Sequence, residues 1–352
     1  MRTKLLFVWF ILALVATSAS IAGNRVSVLH NGYVTPIDGY EFLPGATDSG
    51  KRKVGSTVTL VEGKNTYLIA DPGMAAKGAW PKILAELALR GLTPDDITHI
   101  FISHHHPDHN TQLGLFPNAV LVDHWASYQH DIWTDHPDNF VIAPGITVVR
   151  TPGHTSEDAS LIVDTAEGVY ALTHLWWAPE YFPKDDPLGH DKDAMLLSRK
   201  KIAATVDWII PGHGALFANT RDNQQPIAGD VQAKVKKAVW AASAGWVNGF
   251  NAGNAEQCAD AYEAHAEMIA TPFGRFVGRA AIKAFWQNLF DQGFSDVTYI
   301  EPKIDVISPR AAIITSGWSM NKAQGIITKE LWVLQEDGTA KLRIDLFEVL
   351  GD

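Results

Sequence analysis

The sequence predicts an α/β unit followed by an α+β unit, and three observations carry that prediction. Up to about residue 218, short apolar runs alternate with helical stretches. Beyond about residue 231, helices come first and period-2 runs come last, the order of an α+β fold. Between these, histidines gather where the apolar runs of the first unit end: at His104 to His109, His154, His174 and His213.

In order along the chain, Arg2 and Lys4 precede an apolar run, Leu5 to Val15, too short to span a bilayer comfortably. Ser20-Ile21-Ala22 fits a small-residue cleavage site, with Thr17-Ser18-Ala19 as the alternative, so residues 1–22 read as a signal peptide and the mature chain as secreted or periplasmic. The first folded unit is then expected over 23–218. Val26 to Val34 has strand character. Thr57 to Glu62 and Thr66 to Ala70 flank Gly63-Lys64-Asn65 as a hairpin, ending in Asp71-Pro72-Gly73. Trp80 to Arg90 carries the helical spacing of Ile83, Leu84 and Leu87, with Gly91 as its breaker. Ile97 to Ile102 is a strand feeding the histidine cluster, and a short helix is expected from Asn110 to Leu115. Strands are expected at Ala119 to Val122 and Ile146 to Arg150, then a hairpin-like pair at Ser160 to Val163 and Gly168 to Leu172. After an irregular stretch rich in Trp, Pro and Asp, a helix is expected over Lys192 to Thr205 and a buried strand at Trp208 to Ile210.

A polar linker is expected over 219–230 and a second unit over 231–352. That unit is expected to hold helices at Gln232 to Asn248, Ala255 to His265 and Arg279 to Leu289, with a short extended piece at Met268 to Ala270. Strands follow at Lys303 to Ile307, Ala311 to Met320, Gly325 to Leu334 and Leu342 to Leu350.

The chain has 352 residues and is 46% hydrophobic, enough to bury two cores. Its formal net charge of −10, with only short basic runs, argues against a nucleic-acid partner. No long apolar run follows the leader, so no membrane association is expected after cleavage. Cys258 is the single cysteine, which excludes an intrachain disulfide and a thiolate metal pair.

The chemistry concentrates in Ser103-His104-His105-His106-Pro107-Asp108-His109. Metal-capable side chains at that density, on a loop at a strand end, point to a metal site where a rigid sheet holds the ligands. His154 and His213 each sit in Pro-Gly-His after a strand, where glycine allows a tight turn. Neutral imidazoles with a carboxylate suit Zn²⁺, with Fe or Mn as alternatives. A catalytic metal lowers the pKa of water to about 7, and a second ion ~3.5–4 Å away shares the polarising work.

His104-x-His106-x-Asp108-His109, with Asp71 upstream and His154 and His213 downstream, resembles the metallo-β-lactamase superfamily over residues 26–218. The wording around Thr151 to His154 and Ile210 to Gly214 is most similar to the metallo-β-lactamase domain-containing protein 1 subfamily and its bacterial relatives. The resemblance implies an αβ/βα sandwich and a hydrolase acting on an ester, lactone, amide or phosphoester of a small molecule. It also implies one ion at His104, His106 and His154, a second at Asp108, His109 and His213, and Asp71 orienting the ligand loop. Where the family places a bridging aspartate, this chain has His174. That substitution predicts weaker binding of the second ion, with Asp158 or Asp185 as other possible carboxylates. Asp108 and His174 are the candidate catalytic groups. Trp133, Trp176, Trp177, Tyr181 and Phe182 are either an aromatic substrate wall or packing under a long loop. An iron-dependent sulfur dioxygenase and a non-enzymatic ligand-binding protein are the alternative functions.

Residues 231–352 resemble the SnoaL-like, nuclear-transport-factor-2-like family through Gly278-Arg279-Ala280-Ala281-Ile282 and the helix–strand order. This implies a cone of helices on a curved sheet, a pocket, and a homodimer through the sheet. Tyr262, His265, Arg279, Trp318 and Glu330 are its candidate pocket residues.

Overall fold

The computed structural model describes residues 23–36, 51–74, 77–219 and 227–351. The expected leader and most of the expected linker lie outside these residues. The first unit opens with β1 (Arg25–His30), β2 (Tyr33–Pro36), β3 (Arg52–Gly55), β4 (Val58–Gly63), β5 (Thr66–Ala70) and helix α1 (Ala79–Ala88). It continues through β6 (His99–Phe101), α2 (Pro107–Asn110), β7 (Val120–Val122), β8 (Ala126–Gln129) and β9 (Ile132–Asp135). Its second half holds β10 (Phe140–Ala143), β11 (Ile146–Arg150), β12 (Ala159–Thr165), β13 (Gly168–Thr173), α3 (Lys192–Ala203), β14 (Trp208–Pro211) and β15 (Phe217–Ala218).

These strands form a 7-stranded sheet, β1-β4-β5-β6-β7-β8-β9, and a 6-stranded sheet in simple order from β10 to β15. Period-2 alternation explains how they stack. In β5, Leu68 and Ala70 face the second sheet, whereas Ile69 faces α1. In β14, Ile210 joins the core between the sheets and Ile209 joins Met195 and Ile202 of α3. The layers are therefore α1, sheet, sheet, α3, an αβ/βα sandwich. Asp191 caps α3 by accepting from the Ala194 amide at 2.9 Å.

The second unit comprises α4 (Gly229–Asn251), α5 (Ala255–Asp260), β16 (Tyr262–Thr271), β17 (Gly274–Val277) and α6 (Arg279–Asp291). It ends in β18 (Thr298–Ser308), β19 (Ala311–Ser319), β20 (Gln324–Leu334) and β21 (Ala340–Gly351). Its strands form a separate 6-stranded sheet, β17-β16-β21-β20-β19-β18. Trp332 and Leu342 face the helices, with Val239, Phe250, Ile282 and Trp286 packed on them. Leu331 and Val333 face the other way and pack with Ala166 of the first unit. Register shifts along β20–β21 bend that pair.

Several expectations are corrected. The run Val26 to Val34 breaks at Asn31-Gly32 into two strands in different sheets. The short helix expected over Asn110 to Leu115 is met only by a 3₁₀ turn at Leu113–Leu115, and α2 forms ahead of it from Pro107, inside the histidine cluster, because proline suits the first helical position. The helix expected over Ala255 to His265 stops at Asp260. Tyr262, Ala266, Met268 and Ala270 instead alternate into the core of β16, which pairs with β21. Strands β8, β9 and β10 were not expected. Among the described residues, no helix is long and apolar enough to cross a membrane.

Candidate metal centre

Strand β6 delivers Ser103 and His104 to the rim of the sandwich, and α2 then turns the chain so that Asp108 and His109 face back over it. His154 follows β11, His174 follows β13 and His213 follows β14. All seven candidate side chains come together. His106 Nδ1 lies 2.9 Å from His104 Nε2 and 3.1 Å from His154 Nε2. Asp108 Oδ2 lies 3.5 Å from His109 Nε2 and 3.6 Å from His213 Nε2. His174 stands between the two groups, with its Nε2 3.0 Å from that of His213. It completes both triads of converging donors, His104–His154–His174 and His109–His174–His213, each with its donor atoms within 4.8 Å of one another.

The outward nitrogens of His109, His154 and His213 are tied down, and this fixes which nitrogen faces inward. His109 Nδ1 donates to Asp71 Oδ2 at 2.9 Å, and His154 Nδ1 to Asp186 Oδ2 at 2.8 Å. His213 Nδ1 donates to the Gly55 carbonyl at 3.0 Å. Asp71 also accepts from the Ser103 amide and hydroxyl, both at 2.8 Å, so one carboxylate braces the loop before His104 and the ring of His109. Its φ of 49° places it in the left-handed region. Asp186 additionally accepts from Trp177 Nε1 and the Leu188 amide. Burial opposes its ionisation, but these donors together hold its pKa below the usual value.

The electrostatics favour neutral, ligand-ready rings at His104, His106, His174 and His213. Burial, reinforced by neighbouring imidazoles, lowers His104 and His174 well below the usual histidine value, lowers His106, and takes His213 to about 4. At His109 burial acts in the same sense, but the Asp71 carboxylate outweighs it and the pKa is raised. His109 Nε2 and His174 Nδ1 are buried with no hydrogen-bond partner in the structure. A donor such as His109 Nε2, aimed at other donors and satisfied by none, is what an absent cation would occupy. The residues fit a metal ion.

The Pro-Gly-His glycines serve close approach, since neither is among the positive-φ glycines. A Cβ on Gly212 would fall 2.3 Å from His174 Cδ2, and one on Gly153 would fall 2.6 Å from Met195 Cα. A cavity of about 280 Å³ opens on the cluster, lined also by Val34, Arg52, Val54, Trp177 and Leu188.

His105 turns away to Asp123 at 3.2 Å and stacks on Trp125. The alternative carboxylates do not reach the site. Asp158 accepts from the Thr155 amide and hydroxyl in a turn, where burial pushes it up to about 6, and Asp185 is exposed and paired with Lys192. Of the five loop aromatics only Trp177 lines the cavity. Trp176 and Tyr181 pack against the α3 core, while Trp133 and Phe182 are exposed. Sequence reasoning missed Asp186, Ser103 and the β2–β3 hairpin. The expected second-unit pocket is also revised: His265 pairs with Glu62 of the first unit at 2.6 Å, and Arg279 donates to the Tyr262 carbonyl.

The model of the metallo-beta-lactamase superfamily matches residues 52–175. Metallo-beta-lactamase domain-containing protein 1 of Xenopus laevis is 31% identical over 222 residues, covering 59% of this chain and 88% of the relative. An N-acyl homoserine lactonase of Bacillus cereus is 26% identical, covering 36% of this chain and 57% of its own length. A solved structure of an N-acyl homoserine lactone hydrolase, with product bound at its catalytic metal center, has 20% identity and a TM-score of 0.41, covering 55% of this chain and 94% of that one. A relative that is 31% identical and matched over 88% of its length, with a family model that spans residues 52–175 and so includes His104 to His109, His154 and His174, makes this chain a member of the metallo-β-lactamase superfamily.

Proposed function

We propose that the protein is an exported metal-dependent hydrolase that opens an ester or lactone bond of a small, partly apolar molecule. The observation that carries this reading is the convergence of buried imidazoles and Asp108, with His109 Nε2 left unsatisfied at their centre. His104, His106 and His154 would hold one ion and Asp108, His109 and His213 a second, with His174 between them; zinc suits this donor set best. Ions bound there would supply Lewis acidity and a nucleophile from water at neutral pH. Asp108 lines the cavity and is placed to hold the proton released from the attacking water. Val34, Val54, Trp177 and Leu188 shield the scissile bond from bulk solvent, and Arg52 adds positive charge at the cavity wall. The lactonase relative favours the ester and lactone class over amide and phosphoester. The leader reading supports export, and the separate sheet under three helices supports a SnoaL-like second unit.

Elemental analysis with hydrolysis assays on an ester and lactone panel tests the proposal. The purified protein is expected to carry zinc. His104→Ala is expected to lose bound metal and more than the 10–100-fold in activity typical of outer-shell changes. Protein free of transition metal, with His104→Ala as active as wild type, would overturn the reading. Stoichiometric iron with persulfide oxidation would favour the oxidative alternative.

A further inference from the structure

The two units meet over a cavity of about 700 Å³, walled by β1 and α1 of the first and by β20 and β21 of the second. It lies on the face of the second sheet away from the helices, opposite Trp318 and Glu330, and it shares no residue with the cavity at the metal centre. Ligand sites form preferentially at such junctions, in volumes of about 300–1,000 Å³.

The charged groups of its wall are matched except at two positions. Arg343 donates to Glu167 and Glu263, Arg275 to Glu267 and Glu86, and Arg90 to Glu86, while Arg25 stands 3.7 Å from Glu62. Lys82 of α1 and Lys329 of β20 line the cavity from opposite units, and neither has an ion pair or hydrogen bond among the described residues. The acids at the junction are engaged by the arginines, so these two cations are left without a counter-charge.

A lysine open to solvent would by itself signify little. Arg90 supplies a second, independent observation. Its side chain is 1% exposed and lines the same cavity, and its Nε is buried with no acceptor among the described residues. Such orphaned donors are rare, and one on a charged group is the more costly to leave unpaired. Burial lowers the pKa of Arg25 against the pull of Glu62, and Arg343 and Arg90 add to the fall, so the guanidinium groups crowd one another here. An anionic oxygen would satisfy the donor and relieve the crowding.

The rest of the wall is apolar. Leu29, Leu331, Ile313 and Ile344 line it, and the rings of Tyr170 and Trp208 stack with centroids 6.0 Å apart. A bare inorganic ion would leave these surfaces against water, whereas a flat ring would cover them. An ammonium ion would bring only further donors and like charge.

We propose that this junction is a second binding site, which takes an organic anion with a flat apolar body and holds its acidic oxygens among Arg90, Lys82 and Lys329.

The test titrates the full-length protein with 2-naphthoate by calorimetry. The neutral alcohol 2-naphthalenemethanol, the cation 2-naphthylmethylammonium and inorganic sulfate serve as comparisons. The naphthoate is expected to bind saturably and about tenfold more tightly than any of them. Lys82→Glu and Lys329→Glu change side chains far from the core, and each is expected to weaken the naphthoate at least about tenfold while metal content stays unchanged. Arg90→Lys, which removes Nε and keeps the charge, is expected to weaken it to a similar degree. His104→Ala is expected to keep full affinity, because a carboxylate drawn instead to the metal centre would be lost with the metal. Absence of saturable binding, equal affinity for the alcohol or for sulfate, tighter binding of the amine, undiminished binding to either lysine variant, or loss of binding in His104→Ala would each overturn the proposal. Should Arg90→Lys fail to fold, the lysine variants still decide the matter.

Discussion

His174 belongs to both donor triads, where the resemblance implies a bridging carboxylate, and it brings an imidazole instead. Its Nε2 lies 3.0 Å from that of His213, and a ring nitrogen has one lone pair to give. His174→Asp is therefore expected to raise the occupancy of the second ion, moving dialysed protein from about one toward about two metals per chain. Unchanged stoichiometry by elemental analysis would count against the position assigned to His174. The donors themselves were legible in the sequence because each follows an apolar run, and a run of that kind ends at a sheet edge. Asp186 was not legible. It lies in the irregular stretch after β13, and only the fold brings it within 2.8 Å of His154. The unpaired cations between the units were equally silent, since a lysine in sequence does not say whether its charge finds a partner.

Among the elements, the strands of the sandwich were readable because their two faces both need apolar side chains. The exceptions show what competes with local pattern. Residues Ala261 to Ala266 have helix-forming composition, yet β16 forms there because β21 offers a parallel partner and Tyr262 a buried position; pairing outweighs propensity. Strands β8 and β9, the last two of the 7-stranded sheet, are four residues each, and β9 at the edge is exposed throughout, so they carry little periodic signal. The turn after β14 illustrates the precision required. The ring of His174 lies where a side chain at position 212 would be, so Gly212→Ala must displace one of the two. A displacement near 1 Å is expected to lower kcat/KM about 100-fold, with the circular dichroism spectrum unchanged. Wild-type activity in Gly212→Ala would show that the ring is free to yield.

Across the whole molecule, the two units are joined by charge as well as by apolar contact. Arg343 of β21 is 1% exposed and donates to Glu167 at the start of β13 at 2.7 Å and to Glu263 at 2.6 Å. His265 and Arg25 meet over Glu62, and Arg275 forks onto Glu86 of α1 at 2.7 and 3.0 Å. Arg343→Leu leaves two buried carboxylates without their cation and is expected to cost on the order of 3–5 kcal/mol in denaturant unfolding. A loss under about 1 kcal/mol would mean that water reaches both acids. The division into two units was readable from the change in element order, but this interface was not. Its residues are scattered charges that sequence alone assigns to a solvated face.

The scatter of the metal-binding candidates along the chain also bears on how the protein reaches its native state. Asp71, His104 to His109, His154, His174 and His213 belong to different strands of both sheets. Neither proposed ligand set is complete within one sheet, and contacts of such long sequence separation are the last to repay their loop-closure entropy. In small zinc modules the ion organises an otherwise unfolded peptide. Here the coordination sphere exists only once both sheets have closed on each other. An ion arriving there acts as a latch: it selects the finished sandwich from the incomplete ones and resists its reopening by mass action.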